Sequence, residues 1–474
     1  MIWTSRGSGR RWFRTPLLSG LLTLLPLLAA GTPVDEPPFP IRIKIAAPVA
    51  VSGDLPEAPH VEPFLAAHPT DPNVLFGAAV TYPGPGPGRT ADASVVAGFR
   101  SADGGQTWSR VPFSACRIDP WLSFGSDGSL FLACLGTGSP LAAYRSADGG
   151  RTWDAPLKVP VSGGSVDRPV LSVGPSPGSR QEIVYVGFGQ SFPAPGLRGP
   201  AYGAVVSLSP GGRTFPEPVL LRHDNLTQQP FDSVVLSSGA YALFFMDYAT
   251  QSEEPLVHRR TWMVKSKDGG KTWSLPALVF EQVGKEMPWS AAVDRSPTHR
   301  DRLYLAVDGW WQRRSGTPDP ALQSPRGGLF LLTSDDGAES WRAAATITDA
   351  PPSADAATPA IAVNRDGVVG VAWYDTRRDP RGECFDLYFT ASLDGGATFL
   401  PNARVTPEPS CPRASERQRG IATRWPFGGD YSGLAAGADG KFHLLWADSS
   451  SGIYHLRTAV AQISLSPVQP AVSQ

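Results

Sequence analysis

Residues 101–108 read Ser-Ala-Asp-Gly-Gly-Gln-Thr-Trp, and residues 146–153 read Ser-Ala-Asp-Gly-Gly-Arg-Thr-Trp. The phrase returns as Ser-Lys-Asp-Gly-Gly-Lys-Thr-Trp at 266–273 and as Ser-Leu-Asp-Gly-Gly-Ala-Thr-Phe at 392–399. Worn copies stand at 208–215 and 334–341. A phrase that recurs at intervals of tens of residues marks a repeat architecture, in which each unit buries its apolar face against its neighbours. Its residues suit a turn. The Asp side chain can accept N–H groups across its own turn, and Ser does so more weakly. The glycines allow positive φ, and the aromatic adds packing area where the turn meets the next strand. Asp103, Asp148, Asp268 and Asp394 are therefore read as structural.

Each copy follows two short apolar runs bounded by Gly, Pro, Asp or Asn, which are strand signals. Residues 61–67 and 74–81 precede the first copy, and 360–363 and 368–374 precede the last. A third strand leads into the phrase and a fourth leaves it. The pattern then runs once more without the phrase, at 434–437, 442–446 and 454–463. This last unit has three strands, and residues 41–47 can supply the fourth. The expectation is an all-β chain: one β-propeller of four-stranded blades over residues 41–465, seven in number, closed by the N-terminal strand, with a tail at 466–474. Six blades is the alternative, if the last stretch is only a tail. No segment sustains a 3.6-residue period, so little helix is expected.

Gly (50) and Pro (48) are abundant and charged residues make up only 18%, as short strands joined by turns require. Lys plus Arg (42) nearly balances Asp plus Glu (43), and no basic stripe points to nucleic acid. Arg6, Arg10, Arg11 and Arg14 precede an apolar run at 17–30, too short to span a bilayer comfortably. Ala29, Ala30 and Gly31 supply small residues for cleavage nearby, so residues 1–31 read as a signal peptide. Arg10-Arg11-Trp12-Phe13 resembles a twin-arginine signal, and an ordinary Sec signal fits as well. A monomer exported to the periplasm or beyond is expected, with no stable membrane insertion after cleavage. Export permits disulfides. Four cysteines allow three pairings, of which Cys116–Cys134 and Cys384–Cys411 keep each bond within one unit. His258, His299 and His443 show no ligand spacing, so no metal and no cofactor are expected.

Strand direction sorts the loops. The phrases and the short Asp-Gly turns share one face of the propeller. The long segments 82–94, 189–202, 247–260, 308–327, 374–384 and 407–430 share the other. Long loops on a rigid scaffold mark that face as the functional one.

The pattern S-x-D-x-G-x-T-[WF] is that of the Asp-box, or BNR repeat. Over about residues 61–463 the chain resembles the sialidase superfamily and other secreted Asp-box propellers. The resemblance speaks to fold more than to activity. Known sialidases have six blades, whereas the strand count here is seven. The resemblance implies a retaining glycosidase with a Tyr nucleophile, a Glu that activates it, an Asp acid/base and three Arg that hold the substrate carboxylate. Asp430-Tyr431-Ser432-Gly433-Leu434 resembles the segment carrying the nucleophile, which makes Tyr431 the candidate. Glu286 opens the fifth unit where the activating Glu would stand, and Asp92 precedes the third strand of the first unit where the acid/base would stand. The Arg clamp departs from the family. In His60-Val61-Glu62-Pro63, Val61 occupies the Arg place, and Arg42 lies too early. Arg168 and Arg377 could supply cations or pair with neighbouring Asp residues.

Asp119, Asp167, Asp375, Asp430 and Asp448 recur at strand ends beside the channel, with Trp289, Trp310, Trp311 and Trp425 nearby. Such a set suits sugar stacking and hydroxyl recognition; it also suits loop capping and the filling of blade junctions. The expected ligand is a glycan or glycoconjugate, held by Arg168, Arg377, Asp119, Asp375, Asp430 and Trp310. Three readings stay open: exo-α-sialidase-like hydrolysis, a non-catalytic binding or scaffolding propeller, and another glycosidase that uses a carboxylate pair.

Overall fold

The computed structural model describes residues 41–83, 94–179, 181–193, 201–224, 226–248, 257–284, 290–312, 328–351, 354–379 and 381–465. The signal peptide and tail expected at 1–31 and 466–474 lie outside these, as do Asp92, Glu286 and Trp289.

Seven antiparallel blades stand in a ring, each running outward from an inner strand at the channel. The inner strands are His60–Ala67, Cys116–Phe124, Val166–Pro175, Thr227–Val235, Ser290–Val293, Ala356–Val363 and Gly433–Ala436. The seventh blade is built from both ends of the chain, because Ile41–Ile45 lies antiparallel to His455–Leu465, Ile43 opposite Ile463. The second strand of a blade is covered on both faces by its neighbours. Every residue of Leu75–Thr81, Val369–Asp375 and Phe442–Asp448 is accordingly buried. Glycines in these strands admit the next blade. A Cβ on Gly370 would lie 2.6 Å from the Phe442 ring. One join is irregular: the outer strand Ala277–Gly284 of the fourth blade pairs with the end of Leu303–Gln312 in the fifth, Glu281 opposite Gln312. The α-helix among the described residues is one short element, Arg419–Arg424, in the long segment before the seventh blade.

The repeated phrase forms the turns expected of it. Ser266 Oγ donates to Asp268 Oδ1 at 2.9 Å and accepts the Gly270 N–H at 2.8 Å. Asp268 in turn accepts the Thr272 N–H at 2.9 Å and its hydroxyl at 2.6 Å. Where Pro210 replaces the Asp, the Thr214 N–H turns to Ser209 Oγ at 3.3 Å. The turn also joins blades. Trp153 packs its ring 5.2 Å from Phe76 and 4.9 Å from Phe113, both in the blade before its own. Trp341 does the same to Phe244 at 5.8 Å. Side chains of the preceding blade donate to glycine carbonyls of the turn: Arg100 to Gly149 at 3.0 Å and Lys265 to Gly337 at 3.1 Å.

Disulfides join Cys116 to Cys134 and Cys384 to Cys411. Among the described residues no helix is long and apolar enough to cross a membrane.

Candidate functional site

Five inner strands carry a proline near the end by which they enter the channel: Pro63, Pro120, Pro169, Pro230 and Pro359. Proline has no N–H to give the ladder, so a strand tolerates it at a bulge. The register breaks there in all five, between Val61 and Phe64, Ile118 and Trp121, Asp167 and Val170, Pro230 and Asp232, and Ala357 and Ala360. In four of them the residue before proline is left-handed: Glu62 (φ 54°), Asp119 (φ 54°), Arg168 (φ 49°) and Thr358 (φ 49°). Each such residue costs on the order of 1–3 kcal/mol and persists only where the surroundings enforce it. Three of the four are ionisable, and their side chains meet.

Arg168 pairs with Asp430, which precedes the seventh inner strand. Gln229 Nε2 donates to Asp167 Oδ2 at 2.7 Å. Glu62, only 3% exposed, accepts the Trp425 indole N–H at 3.1 Å on Oε1. The Tyr431 hydroxyl donates to the Pro120 carbonyl at 3.5 Å. Its ring lies edge-on to Trp121 at 5.6 Å and to Phe64 at 6.2 Å, and those two are 4.3 Å apart. Phe64, Asp119, Trp121, Arg168 and Tyr431 line a cavity of about 40 Å³. At roughly 10–15 Å³ per water, its enclosed part is room for a few waters.

Burial and crowded charge set the protonation states. Burial, then the charge of Asp167, lifts Asp119 to about 6, with Arg168 opposing. Burial, then the charges of Asp119 and Asp430, lifts Glu62 well above the usual carboxylate range. Burial, then Glu62, pushes the Tyr431 phenol well above its ordinary value. Burial disfavours the Arg168 charge, but Asp430 and Asp167 more than restore it. The site thus offers a neutral Glu62, an Asp119 that exchanges its proton near neutral pH, an ion pair and a neutral phenol. A carboxyl tuned in this way suits general acid–base work.

Asp119, Arg168, Asp430 and Tyr431 come together as one cluster. Arg377 and Asp375 pair with each other at 2.7 Å, and Arg377 also binds Asp349 at 2.5 Å and stacks over Tyr388 at 4.1 Å. Asp375 belongs to a second recurring device, in which an Asp at the end of a second strand takes a Trp N–H and an Arg. Trp373 donates to Asp375 at 2.9 Å, Trp262 to Asp247 at 2.8 Å and Trp446 to Asp448 at 3.3 Å. The matching cations are Arg377, Arg260 and Arg457. Neither Arg377 nor Asp375 lines the cavity, where Arg168 is the only cation among the described residues. Trp310 falls on the strand Leu303–Gln312, with its backbone opposite Val283, and its side chain lies outside what is described. Glu62, one residue beyond the Val61 that occupies the Arg place, is the member that the family resemblance does not mark. The Xaa-Pro pairs that open the inner strands are the sequence signal that marks it.

No family model matches the chain, and no curated protein does. Solved structures with a similar course include the Hadza microbial sialidase Hz136, 15% identical with a TM-score of 0.43 over 73% of this chain and 65% of that one. The Trypanosoma rangeli sialidase is 13% identical with a TM-score of 0.39, over 85% and 54%. A Penicillium chrysogenum α-L-arabinanase complexed with arabinobiose is 14% identical with a TM-score of 0.42, over 76% and 99%. The chain thus spans less than two thirds of the length of either sialidase. At these TM-scores the blade count and the site stand on the geometry above and not on the likeness.

Proposed function

We propose that this chain is an exported propeller that binds a glycan or glycoconjugate over the channel mouth and hydrolyses a glycosidic bond there, with Asp119 as the acid. The observation that carries the reading is the setting of Asp119. It is held inward by a left-handed backbone, lines the cavity beside three aromatic rings, and keeps a proton to about pH 6. Asp119 gives that proton to the leaving oxygen. Asp430, whose side chain is 41% exposed, is the carboxylate placed to take a proton from the attacking water. Tyr431, kept as a phenol that donates to the Pro120 carbonyl, offers its oxygen to the ligand as an acceptor. Two disulfides support export.

Sialidase chemistry fits less well. It asks for three cations around one carboxylate, and the cavity has Arg168, already paired with Asp430. It also asks for a phenolate, which burial and then the surrounding carboxyls oppose. Binding without turnover is the second reading, favoured by the narrow cavity. A panel of fluorogenic glycosides, a sialoside included, distinguishes the three. The expected result is turnover that Asp119→Asn lowers by about 100-fold or more, with the melting temperature unchanged. Turnover of the sialoside that depends on Tyr431 establishes the sialidase reading instead. Glycan binding with no turnover of any substrate establishes the binding propeller.

A further inference from the structure

We propose that the seam between the fifth and sixth blades holds a metal ion that prefers oxygen ligands, with Asp294 as its charged ligand. Asp294 follows the fifth inner strand, on the face of the repeated turns, and is fully buried. Its Oδ1 accepts the Ser296 N–H at 2.7 Å, and its Oδ2 is buried without a partner. Buried charges are paired or coordinate metals. The comparably buried Asp247, Asp375, Asp386 and Asp448 each have an arginine. Asp294 has none among the described residues.

The next seam shows the satisfied version. Asn364 follows the sixth inner strand as Asp294 follows the fifth. Its Oδ1 accepts the Asp366 N–H at 3.0 Å, and its Nδ2 donates to the Gly440 carbonyl in the next blade at 2.7 Å. A β-carbon on Gly440 would lie 3.8 Å from Asn364 Nδ2, and one on Gly367 would lie 3.5 Å from Asp294 Oδ2. The two places are therefore equivalent. Exchanging amide for carboxylate turns the donor into an acceptor, so Asp294 presents an oxygen to the Gly367 carbonyl with no hydrogen between them. Ser296 Oγ is also buried without a partner, and the same β-carbon on Gly367 would lie 2.7 Å from it. Oxygen ligands with a single charge suit a hard cation such as calcium, held weakly, because affinity grows with ligand charge. The space favours the ion over a water. Calcium holds its oxygens at about 2.3–2.6 Å, closer than the ~2.7–2.8 Å of a hydrogen-bonded water. The ion ties the turn of one blade to the turn of the next.

The test is scanning calorimetry of the whole protein, stripped by a chelator and then given calcium, sodium or magnesium chloride, with choline chloride holding the ionic strength. Millimolar calcium is expected to raise the melting temperature by about 2 °C or more. An equal rise with sodium alone keeps the site and assigns it to a monovalent ion. Asp294→Asn supplies the amide that Asn364 uses. It is expected to be at least as stable as the stripped wild type and to lose the response to the ion. Ser296→Ala, expected to weaken the response, serves should the first variant fail to fold. No response to calcium or sodium overturns the site. So does a larger response to magnesium, whose retained waters the closed seam excludes. An undiminished response in whichever variant folds places the ion elsewhere and overturns it too.

Discussion

Gly429 passes so close to Glu62 that a β-carbon on it would lie 2.5 Å from the Glu62 nitrogen and 2.7 Å from its Cα. The Glu62 N–H also donates to the Gly428 carbonyl at 2.8 Å. The long segment before the seventh blade is thus pressed against the bulge of the first, and this contact brings Asp430 and Tyr431 to the cluster. Gly429 has φ +139°, a region essentially closed to side chains. Gly429→Ala must move one of the two backbones. The expected result is a stability loss of about 1–3 kcal/mol in urea denaturation. Ligand binding should fall further than that loss explains, because Asp430 and Tyr431 shift with the segment. Unchanged affinity in a folded Gly429→Ala protein would separate the cluster from the function.

Glu62 is held neutral by its surroundings, and this sets the sign of its effect on stability. The unfolded side chain ionises above its ordinary value of 4.5, while the folded one keeps its proton well beyond that. The fold therefore loses stability as pH rises through that window, and below the ordinary value the two states match. Glu62→Gln should raise the melting temperature at pH 7–8 by a few degrees and leave it nearly unchanged near pH 4. The same variant should weaken ligand binding. A group that stabilises by its removal while function suffers is what a strained working site predicts.

The fold was legible because a turn repeats its chemistry locally. Ser266, Asp268, Gly270 and Thr272 bond to one another within seven residues, so the letters alone carry the geometry. The site was legible only in part. Asp119, Arg168, Asp430 and Tyr431 were readable from their places at strand entrances. Glu62 was not, because its role comes from a left-handed backbone and from burial, neither of which its letter shows. The Xaa-Pro pairs at Glu62, Asp119, Arg168, Gln229 and Thr358 form a second repeat with no shared side chain in front of the proline. Its common feature is a backbone bulge, which the letters show only through proline. Arg377 and Asp375 look from sequence like Arg168 and Asp430. Arg377 takes Asp375 two residues away and stacks on Tyr388 of the neighbouring strand, whereas Arg168 meets Asp430 from another blade, so only tertiary structure tells the structural pair from the channel pair.

The turns predict an acid limit. Hydrogen bonds from the Thr272 hydroxyl and amide hold Asp268 at about 2, and those from Ser340 do the same for Asp336. A carboxylate depressed in the fold stabilises above its unfolded value, near 3.9, and loses that contribution as pH falls toward 2. Several equivalent turns should lose it together. Cooperative acid unfolding, read by far-ultraviolet circular dichroism, is therefore expected between about pH 4 and pH 2. Asp336→Asn should shallow the acid limb of the curve, since its turn no longer titrates. An identical acid limb would show that the turns play no part in it.

His60 places a second titration at the seam where the ring closes. It is fully buried on the first inner strand, 6.5 Å from His455 on the seventh blade and 5.8 Å from Phe99. Burial, and then the nearness of His455, lowers it to about 3. The unfolded imidazole takes a proton below about 6.5, which the folded one refuses until about 3. Stability from this source is complete above 6.5 and falls as pH drops, by at most about 1.4 kcal/mol per pH unit. Burial lowers His443 to about 4, and it adds a term of the same sign. His60→Gln stays neutral throughout. Denaturation curves from pH 7 to pH 4 should therefore show a steeper loss for the wild type than for the variant. A variant that loses stability as steeply as the wild type would mean that the seam is already open to solvent, and that the ring is not closed as tightly as its buried histidine requires.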